Sequence, residues 1–275
     1  QQIIKKLLIT GANGFIGGSL MRYYQNQGQD VVGVDLVGNG GDIVEGDISR
    51  PETISQLLKE CDVIIHTAAL VSNALQDGDM WRVNVLATRN LIEAAKEQKV
   101  RRFVQISSIV AYGNSAKGKI NENHPVHADG GSYVLTKLAS EHVVLSEQAN
   151  DNIEVVIIRP GDAYGPGSRP WVIAPLEAIA KNQFMLPEKG EGFFRPIYID
   201  DLVRGIALAA SHPDAAGEIF NLSCEDYMFT KEYFAPHYKW LGKKGPMLVS
   251  TKLALRISSI ASKIADLMGN LNEAS

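Results

Sequence analysis

The sequence predicts an α/β protein built on a doubly wound parallel sheet, followed by a small C-terminal lobe. Three observations predict it. Short apolar runs rich in Val and Ile, such as Leu7–Thr10, Val63–His66 and Glu154–Arg159, recur between amphipathic stretches of helical length. The two kinds of segment alternate through the first 160 residues, the order expected of a parallel sheet with helices on both faces. From Pro160 on, the elements shorten and the connections become rich in Gly and Pro. A chain of 275 residues is long enough to bury a full α/β core.

Taken in order, Leu7–Thr10 is the first strand, and Phe15 to Gln27 the helix that follows a glycine turn. Val31–Val34 is the second strand, closed by Asp35, and Ile43–Gly46 a short third, ending at Asp47. Pro51 opens a helix through Leu58, Val63–His66 is the fourth strand, and a long helix runs from about Trp81 to Lys96. Arg102–Ser107 reads as the fifth strand, Ser132–Ala149 as a helix and Glu154–Arg159 as the sixth strand. Gly161 to Pro170 reads as a loop. Helix Val172–Lys181, a strand near Ile197, helix Asp200–Ser211 and strand Ile219–Leu222 follow. Residues 1–160 are therefore expected to bind a dinucleotide. Residues 161–275 are expected to form mainly a substrate lobe, interleaved with the end of the sheet.

The glycine turn carries that expectation. In Gly11-Ala12-Asn13-Gly14-Phe15-Ile16-Gly17 the glycines let the backbone approach a pyrophosphate, whose charge sits at the helix N-terminus. Asp35 lies 18 residues past Gly17, where an acid accepts hydrogen bonds from the adenosine ribose. An acid there faces a 2′-phosphate with like charge, and residues 33–38 hold no Lys or Arg to compensate, so NAD is expected over NADP.

Composition excludes several functions. The net charge is −4, and no basic run reaches five residues, so no nucleic-acid partner is expected. No stretch approaches 18 uninterrupted apolar residues, which argues against a membrane span, and the strand at Leu7 leaves no room here for a signal peptide. Cys61 and Cys224 have no metal or redox spacing and are expected as free thiols in the reducing cytoplasm. His124, His127 and Asp129 lack a further ligand at a set spacing, so no metal is expected. In the tail, Leu253, Ile257, Ile260, Ile264 and Leu267 share one helical face, with Lys252, Arg256 and Lys263 elsewhere. Such a helix can lie on a membrane surface, but packing on its own domain is the commoner fate.

Tyr133 and Lys137 stand four apart at the start of a helix and so share a face. A phenol beside an ammonium has its anion favoured and can act as a general acid or base. The pairing recurs at Tyr227 and Lys231. Only Tyr133 follows Ser108 by 25 residues, and Ser108 sits at the C-terminal end of the fifth strand, the edge where such sheets bind ligands. Ser107 next door competes for its role.

These features together resemble the extended short-chain dehydrogenase/reductases, the Rossmann-fold branch that holds nucleotide-sugar epimerases, dehydratases and 3β-hydroxysteroid dehydrogenases. The resemblance runs from Leu7 to about Leu222. It is carried by Thr10 to Gly17, Gly46-Asp47-Ile48, His66-Thr67-Ala68-Ala69, Asn84-Val85-Leu86-Ala87-Thr88, Ser107-Ser108, Tyr133 with Lys137, Arg159-Pro160 and Tyr164-Gly165-Pro166. It implies Ser108, Tyr133 and Lys137 as the catalytic triad. For NAD it implies Gly11, Asn13, Gly14, Phe15, Ile16, Gly17 and Asp35, then Asp47 and Ile48 by the adenine, and Ala68 and Ala69 by the phosphates and ribose. Lys137 falls on the nicotinamide ribose, Pro160 near the carboxamide, and Asn84 on the central helix behind the site.

Within that family, nucleotide-sugar members usually carry an asparagine where Asp162 stands and an arginine where Phe194 stands; both grip the substrate, the arginine its pyrophosphate. The string Arg159 to Gly167 and the tail from Pro246 look more like the 3β-hydroxysteroid dehydrogenase group. The expected function is thus an NAD-dependent oxidoreductase interconverting a secondary alcohol and a ketone, as a cytoplasmic homodimer. The alternatives are a nucleotide-sugar epimerase or dehydratase with bound NAD, and a non-catalytic dinucleotide sensor. Asp200-Asp201 is read as helix capping.

Overall fold

Strand periodicity and helix starts place the elements of the computed structural model, which describes residues 2–71, 77–113, 118–149 and 153–257. They are β1 (Leu7–Thr10), α1 (Phe15–Asn26), β2 (Val31–Asp35), β3 (Ile43–Glu45), α2 (Ser55–Glu60), β4 (Val63–His66), α3 (Asp77–Trp81), α4 (Ala87–Glu97), β5 (Arg102–Ile106), α5 (Ser132–Gln148) and β6 (Glu154–Pro160). There follow β7 (Asp162–Tyr164), α6 (Ala174–Ala180), β8 (Phe193–Phe194), β9 (Pro196–Tyr198), α7 (Ile199–Ser211), β10 (Ile219–Leu222), β11 (Met228–Phe229) and α8 (Thr230–Trp240).

The chain divides into two compact units, residues 1–161 with 197–223, and residues 162–196 with 224–275. In the first, seven strands pair in the order β10-β6-β5-β4-β1-β2-β3, all in parallel. Leu8, Ile64, Phe103, Val155 and Ile157 from its strands meet Ile54, Leu58, Leu91, Ile92 and Val144 from the helices in one core. That apolar burial on both faces is why these strands read as continuous hydrophobic runs. The order reverses at β1, whose neighbours are β2 and β4. At such a switch point two loops leave the sheet on opposite sides and open a crevice at the strand ends.

The second unit packs around aromatic rings: Leu186, Phe194, Tyr233 and Phe234 are its buried centre, with Tyr164, Trp171, Phe184 and Met228 against them. β8 and β11 form a two-stranded antiparallel ladder.

Several sequence expectations need correction. The stretch read as a loop from Gly161 contains β7. The helix expected from Trp81 begins at Asp77 and passes through a π-helical turn, Arg82–Leu86, before α4. The helix expected from Val172 likewise opens in a π turn at Arg169, where Pro170 occupies the first turn and its missing N–H costs nothing. Asp200 and Asp201 lie in the first turn of α7 without capping it; their charge favours the helix N-terminus, and Asp201 also pairs with Arg204. α8 escapes the sequence reading because Pro236 lies inside it. Of the tail stripe, Leu253 and Ile257 are exposed, and the remainder lies outside the described residues. No helix among the described residues is long and apolar enough to cross a membrane.

Candidate active site

Parallel strands deliver their C-terminal ends to one edge, and nearly every expected site residue follows from that. Gly11 to Gly17 leave β1, Asp35 ends β2, Asp47 and Ile48 follow β3, and Ala68 and Ala69 follow β4. Ser108 follows β5, and Pro160 ends β6.

The glycine turn is drawn tight. Gly11 has a φ of +68°, and a Cβ built there would meet the Ala68 backbone at 2.8 Å. On Gly17 a Cβ would fall 2.1 Å from the Gly11 carbonyl oxygen. Helix α1 therefore starts directly against β1. Its N-cap is Gly14, with no side-chain cap and no acid in the first turn. The amides of Phe15, Ile16 and Gly17 have no intrahelical acceptor and present partial positive charge, a fit for a pyrophosphate. Asp35 accepts the Asn13 N–H at 2.9 Å on one oxygen and the Leu36 N–H at 2.8 Å on the other. These bonds fix the carboxylate at the turn with lone pairs left for ribose hydroxyls. Asp47 accepts the Ser49 hydroxyl and amide, which hold its carboxyl below the usual range.

Ser108 and Tyr133 meet: their hydroxyls are hydrogen-bonded. Ser108 also accepts the Val110 N–H at 3.3 Å, capping the 3₁₀ turn Ile109–Tyr112. Ser107 turns the other way, its hydroxyl donated to the buried Glu141 carboxylate. Lys137, one turn along α5 from Tyr133, is buried, and its Nζ donates to the Ile106 carbonyl at 3.0 Å. Burial pulls its pKa down to about 8, against an upward pull from Glu141.

The acidity of Tyr133 departs from expectation. Burial raises the phenol above its ordinary value, and the Ser108 bond opposes that only in part. Tyr227 and Lys231 do not share a helix, because α8 begins at Thr230; Lys231 faces Glu191 at 3.5 Å.

Asn84 sits in the π-helical turn with its amide committed to the chain. It accepts the Leu70 N–H at 2.7 Å and donates to the Leu70 carbonyl at 3.0 Å and to Thr136 Oγ1 at 3.1 Å. It thereby ties the segment after β4 to helix α5.

Sequence reasoning missed two buried groups. The Thr88 hydroxyl donates to the Asn84 carbonyl and so accepts from His66 Nε2, at 2.9 Å; His66 Nδ1 accepts from Thr10 at 2.7 Å. Both ring nitrogens are thus used with the imidazole neutral, and burial, with Lys137 nearby, pushes its pKa down to about 3. The second is Glu141, whose signal was the spacing Tyr133, Lys137, Glu141 along one helix face. Among the described residues, no group of three His, Cys, Asp or Glu side chains is placed to hold a metal. Cys61 is a buried cysteine and Cys224 an exposed one.

In the second unit Phe194 is buried among Tyr233, Trp171 and Phe234, with its ring centroid 3.9 Å from that of Tyr233. Asp162 accepts the Arg195 N–H at 2.9 Å, and burial raises its carboxyl pKa to about 6. Arg195 lies over the Phe193 and Tyr227 rings, and Arg169 pairs with Glu177 at the surface.

Comparison with known proteins gives the family of the chain. Residues 7–223 match the model of the NAD dependent epimerase/dehydratase family. A low-salt glycan biosynthesis protein of Haloferax volcanii, Agl12, is 29% identical over 237 residues, 78% of this chain and 76% of that protein. A 3β-hydroxysteroid dehydrogenase/Δ5→4-isomerase of Mycobacterium tuberculosis is 26% identical over 273 residues, 91% of this chain and 73% of that protein. Among solved structures, MoeE5 in complex with UDP-glucose and NAD superposes with a TM-score of 0.78 at 28% identity, covering 89% of this chain and 86% of that one. The glycine turn, the strand-end acid and the serine–tyrosine–lysine cluster thus stand in a chain that belongs to the NAD dependent epimerase/dehydratase family of extended short-chain dehydrogenase/reductase enzymes.

Proposed function

We propose that this enzyme interconverts a secondary alcohol and a ketone on a lipophilic substrate, in the manner of the 3β-hydroxysteroid dehydrogenases, with Ser108, Tyr133 and Lys137 as its catalytic residues. The observation that carries the reaction type is the contact of the Ser108 and Tyr133 hydroxyls one helical turn from a buried lysine. Gly11, Asn13, Gly14, Phe15, Ile16, Gly17 and Asp35 hold NAD at the β1 turn, with Asp47, Ile48, Ala68, Ala69 and Pro160 along the same edge and Asn84 positioning the segment after β4. Bound NAD supplies the acceptor or donor of hydride. Ser108 holds the substrate oxygen, and Tyr133 takes the proton from the alcohol or returns it to the ketone. Lys137 binds ribose and, charged, favours the phenolate that burial alone opposes.

Asp35 supports NAD over NADP, since its carboxylate is fixed where a 2′-phosphate would bring like charge. NADH is expected to bind more tightly than NADPH in a fluorescence titration, and Asp35→Ala to narrow the difference without unfolding the protein. Equal or tighter NADPH binding by the unaltered enzyme would sink the assignment.

The substrate class rests on the second unit. A carboxyl and a buried ring, Asp162 and Phe194, stand at the positions where nucleotide-sugar members of the family usually carry an amide and a guanidinium, which supports a substrate without a pyrophosphate. Of the apolar side chains from Trp171 to Phe194, Trp171, Leu186 and Phe194 belong to the core of that unit. Val172, Ile173, Leu176 and Met185 remain half-buried and are available to an apolar ligand. The similarity to 3β-hydroxysteroid dehydrogenase along 91% of the chain supports the same reading. The likeness to a structure holding UDP-glucose favours a second one, a nucleotide-sugar epimerase or dehydratase. Calorimetry with UDP, GDP and a hydroxysteroid, each with NAD present, separates them. Binding and NADH production are expected with the hydroxysteroid; micromolar UDP or GDP binding that weakens on Arg169→Ala or Arg195→Ala would establish the second reading instead.

A further inference from the structure

Behind the candidate catalytic residues lies a buried polar network that the reaction does not itself require. Glu141, on α5 one turn beyond Lys137, is almost wholly buried. Its Oε1 accepts from Arg159 Nε at 3.0 Å and from the Ser107 hydroxyl; its Oε2 accepts from Arg159 Nη2 at 2.6 Å. Arg159 Nη1 donates to the Tyr112 hydroxyl at 2.8 Å, which donates in turn to Asn221 on the edge strand β10 at 2.8 Å. The guanidinium also lies 4.7 Å from the centroid of the Tyr112 ring. The bidentate clamp leaves the carboxylate no freedom to turn.

Ser107 is held on two sides, since its N–H donates to the Ile158 carbonyl at 2.7 Å while its hydroxyl reaches Glu141. The peptide that follows is the one that aims Ser108 at Tyr133. The charged and titratable groups around Lys137 are few. From β4 comes His66, neutral and spent on Thr10 and Thr88. From β6 comes Arg159, and from the 3₁₀ turn Tyr112, each spent within the network. On α3 and the turn after it, Asp79 and Arg82 pair with each other outside; on α4, Arg89 pairs with Glu93, and Lys96 with Glu147 further along α5. Tyr133 is an uncharged phenol. Glu141, one helical turn from Lys137 on the same face of α5, pulls the ammonium's pKa up.

We propose that Glu141 is a positioning residue of the candidate site: clamped by Arg159, it fixes the Ser107–Ser108 peptide and supplies the anion that keeps the buried Lys137 ammonium charged. The proposal rests on the reading of Ser108, Tyr133 and Lys137 as the catalytic residues. A buried carboxylate with only a structural role would still act on a lysine one turn away, so the positional role is read separately, from kcat in a variant that keeps the charge.

The test reads Lys137 directly, by NMR of lysine-labelled protein with the Nζ signal assigned from Lys137→Ala. In the unaltered enzyme the midpoint is expected near 8. In Glu141→Gln it is expected about one pH unit lower, the usual effect of losing an adjacent opposite charge. That variant strands a buried guanidinium, so the double variant Glu141→Met with Arg159→Met, which removes both charges, is measured beside it; a smaller drop in the same direction is expected. Ser107→Ala keeps the charge and loses the anchor, and is expected to lower kcat with KM, NADH affinity and the Lys137 midpoint unchanged. An unmoved midpoint in both Glu141 variants would overturn the electrostatic half of the proposal, and full kcat in Ser107→Ala the positional half. A fully active Tyr133→Phe enzyme beside a shifted midpoint would refute the catalytic assignment while leaving the link from Glu141 to Lys137 standing.

Discussion

Replacing Tyr133 with phenylalanine is expected to lower turnover by about 100-fold or more while leaving NADH affinity nearly unchanged, the usual scale for a lost general acid or base. The substitution removes one oxygen from a half-buried ring, and its direct partner is Ser108. Losing that hydrogen bond costs about 1 kcal/mol, too little to unfold the chain, so the activity loss is readable at constant fold. Lys137→Ala is a different kind of change, because the ammonium is expected to serve both ribose binding and the tyrosine; turnover and cofactor affinity should fall together. Tyr227→Phe is the matched control. That tyrosine is exposed, stands before α8 and shares no helix face with Lys231, so its phenol is expected to be dispensable. Stopped-flow turnover and equilibrium NADH fluorescence on the three variants decide the matter. A fully active Tyr133→Phe enzyme would point to another proton donor, or to a chain that senses dinucleotide without chemistry.

The parts of this protein that were legible in its sequence are those fixed by local pattern. Val63–His66 and Ile219–Leu222 read as strands at their observed bounds: the first is buried on both faces and apolar up to its last residue, and the second is a short apolar run at the sheet edge interrupted by Asn221. The Gly11 to Gly17 turn was legible because backbone crowding admits only glycine at two of its positions. What depended on tertiary placement was not. No spacing rule distinguishes Ser107 from Ser108 by the partners of their hydroxyls; that division follows from the register of β5 against β6 and from the direction in which Glu141 enters from α5. The Tyr133–Lys137 pair suggested a depressed phenol, whereas burial raises it in the folded chain against the Ser108 hydroxyl. Phe194 stands where nucleotide-sugar members usually carry an arginine, and nothing local in the sequence shows that contacts with Tyr233 and Phe234, some 40 residues on, make it core.

Gly17→Ala should abolish tight cofactor binding, and Gly18→Ala should not, although the two glycines are adjacent in the same helix. A Cβ at Gly17 would lie 2.1 Å from the Gly11 carbonyl oxygen and 2.8 Å from its carbon, both rigid backbone atoms. Relief requires α1 to withdraw from β1, and the amides of Phe15, Ile16 and Gly17 withdraw with it, out of reach of a pyrophosphate held over the turn. Affinity for NADH is therefore expected to weaken by at least about tenfold, or 1.4 kcal/mol. The overpacking itself costs about 1–3 kcal/mol, which for a chain of this size lowers Tm by roughly 2–10 °C. At Gly18 the same atom would meet the Ala12 carbonyl at 3.3 Å and the end of the Arg22 side chain at 3.6 Å. A shift of a few tenths of an ångström accommodates it, and replacing a helical glycine with alanine stabilises by about 0.5–1 kcal/mol. Gly18→Ala should thus keep its NADH affinity with an unchanged or slightly higher Tm. If instead Gly17→Ala bound NADH normally, the cofactor could not lie on the β1 turn, and the residues assigned to hold it from Gly11 to Asp35 would lose that role together.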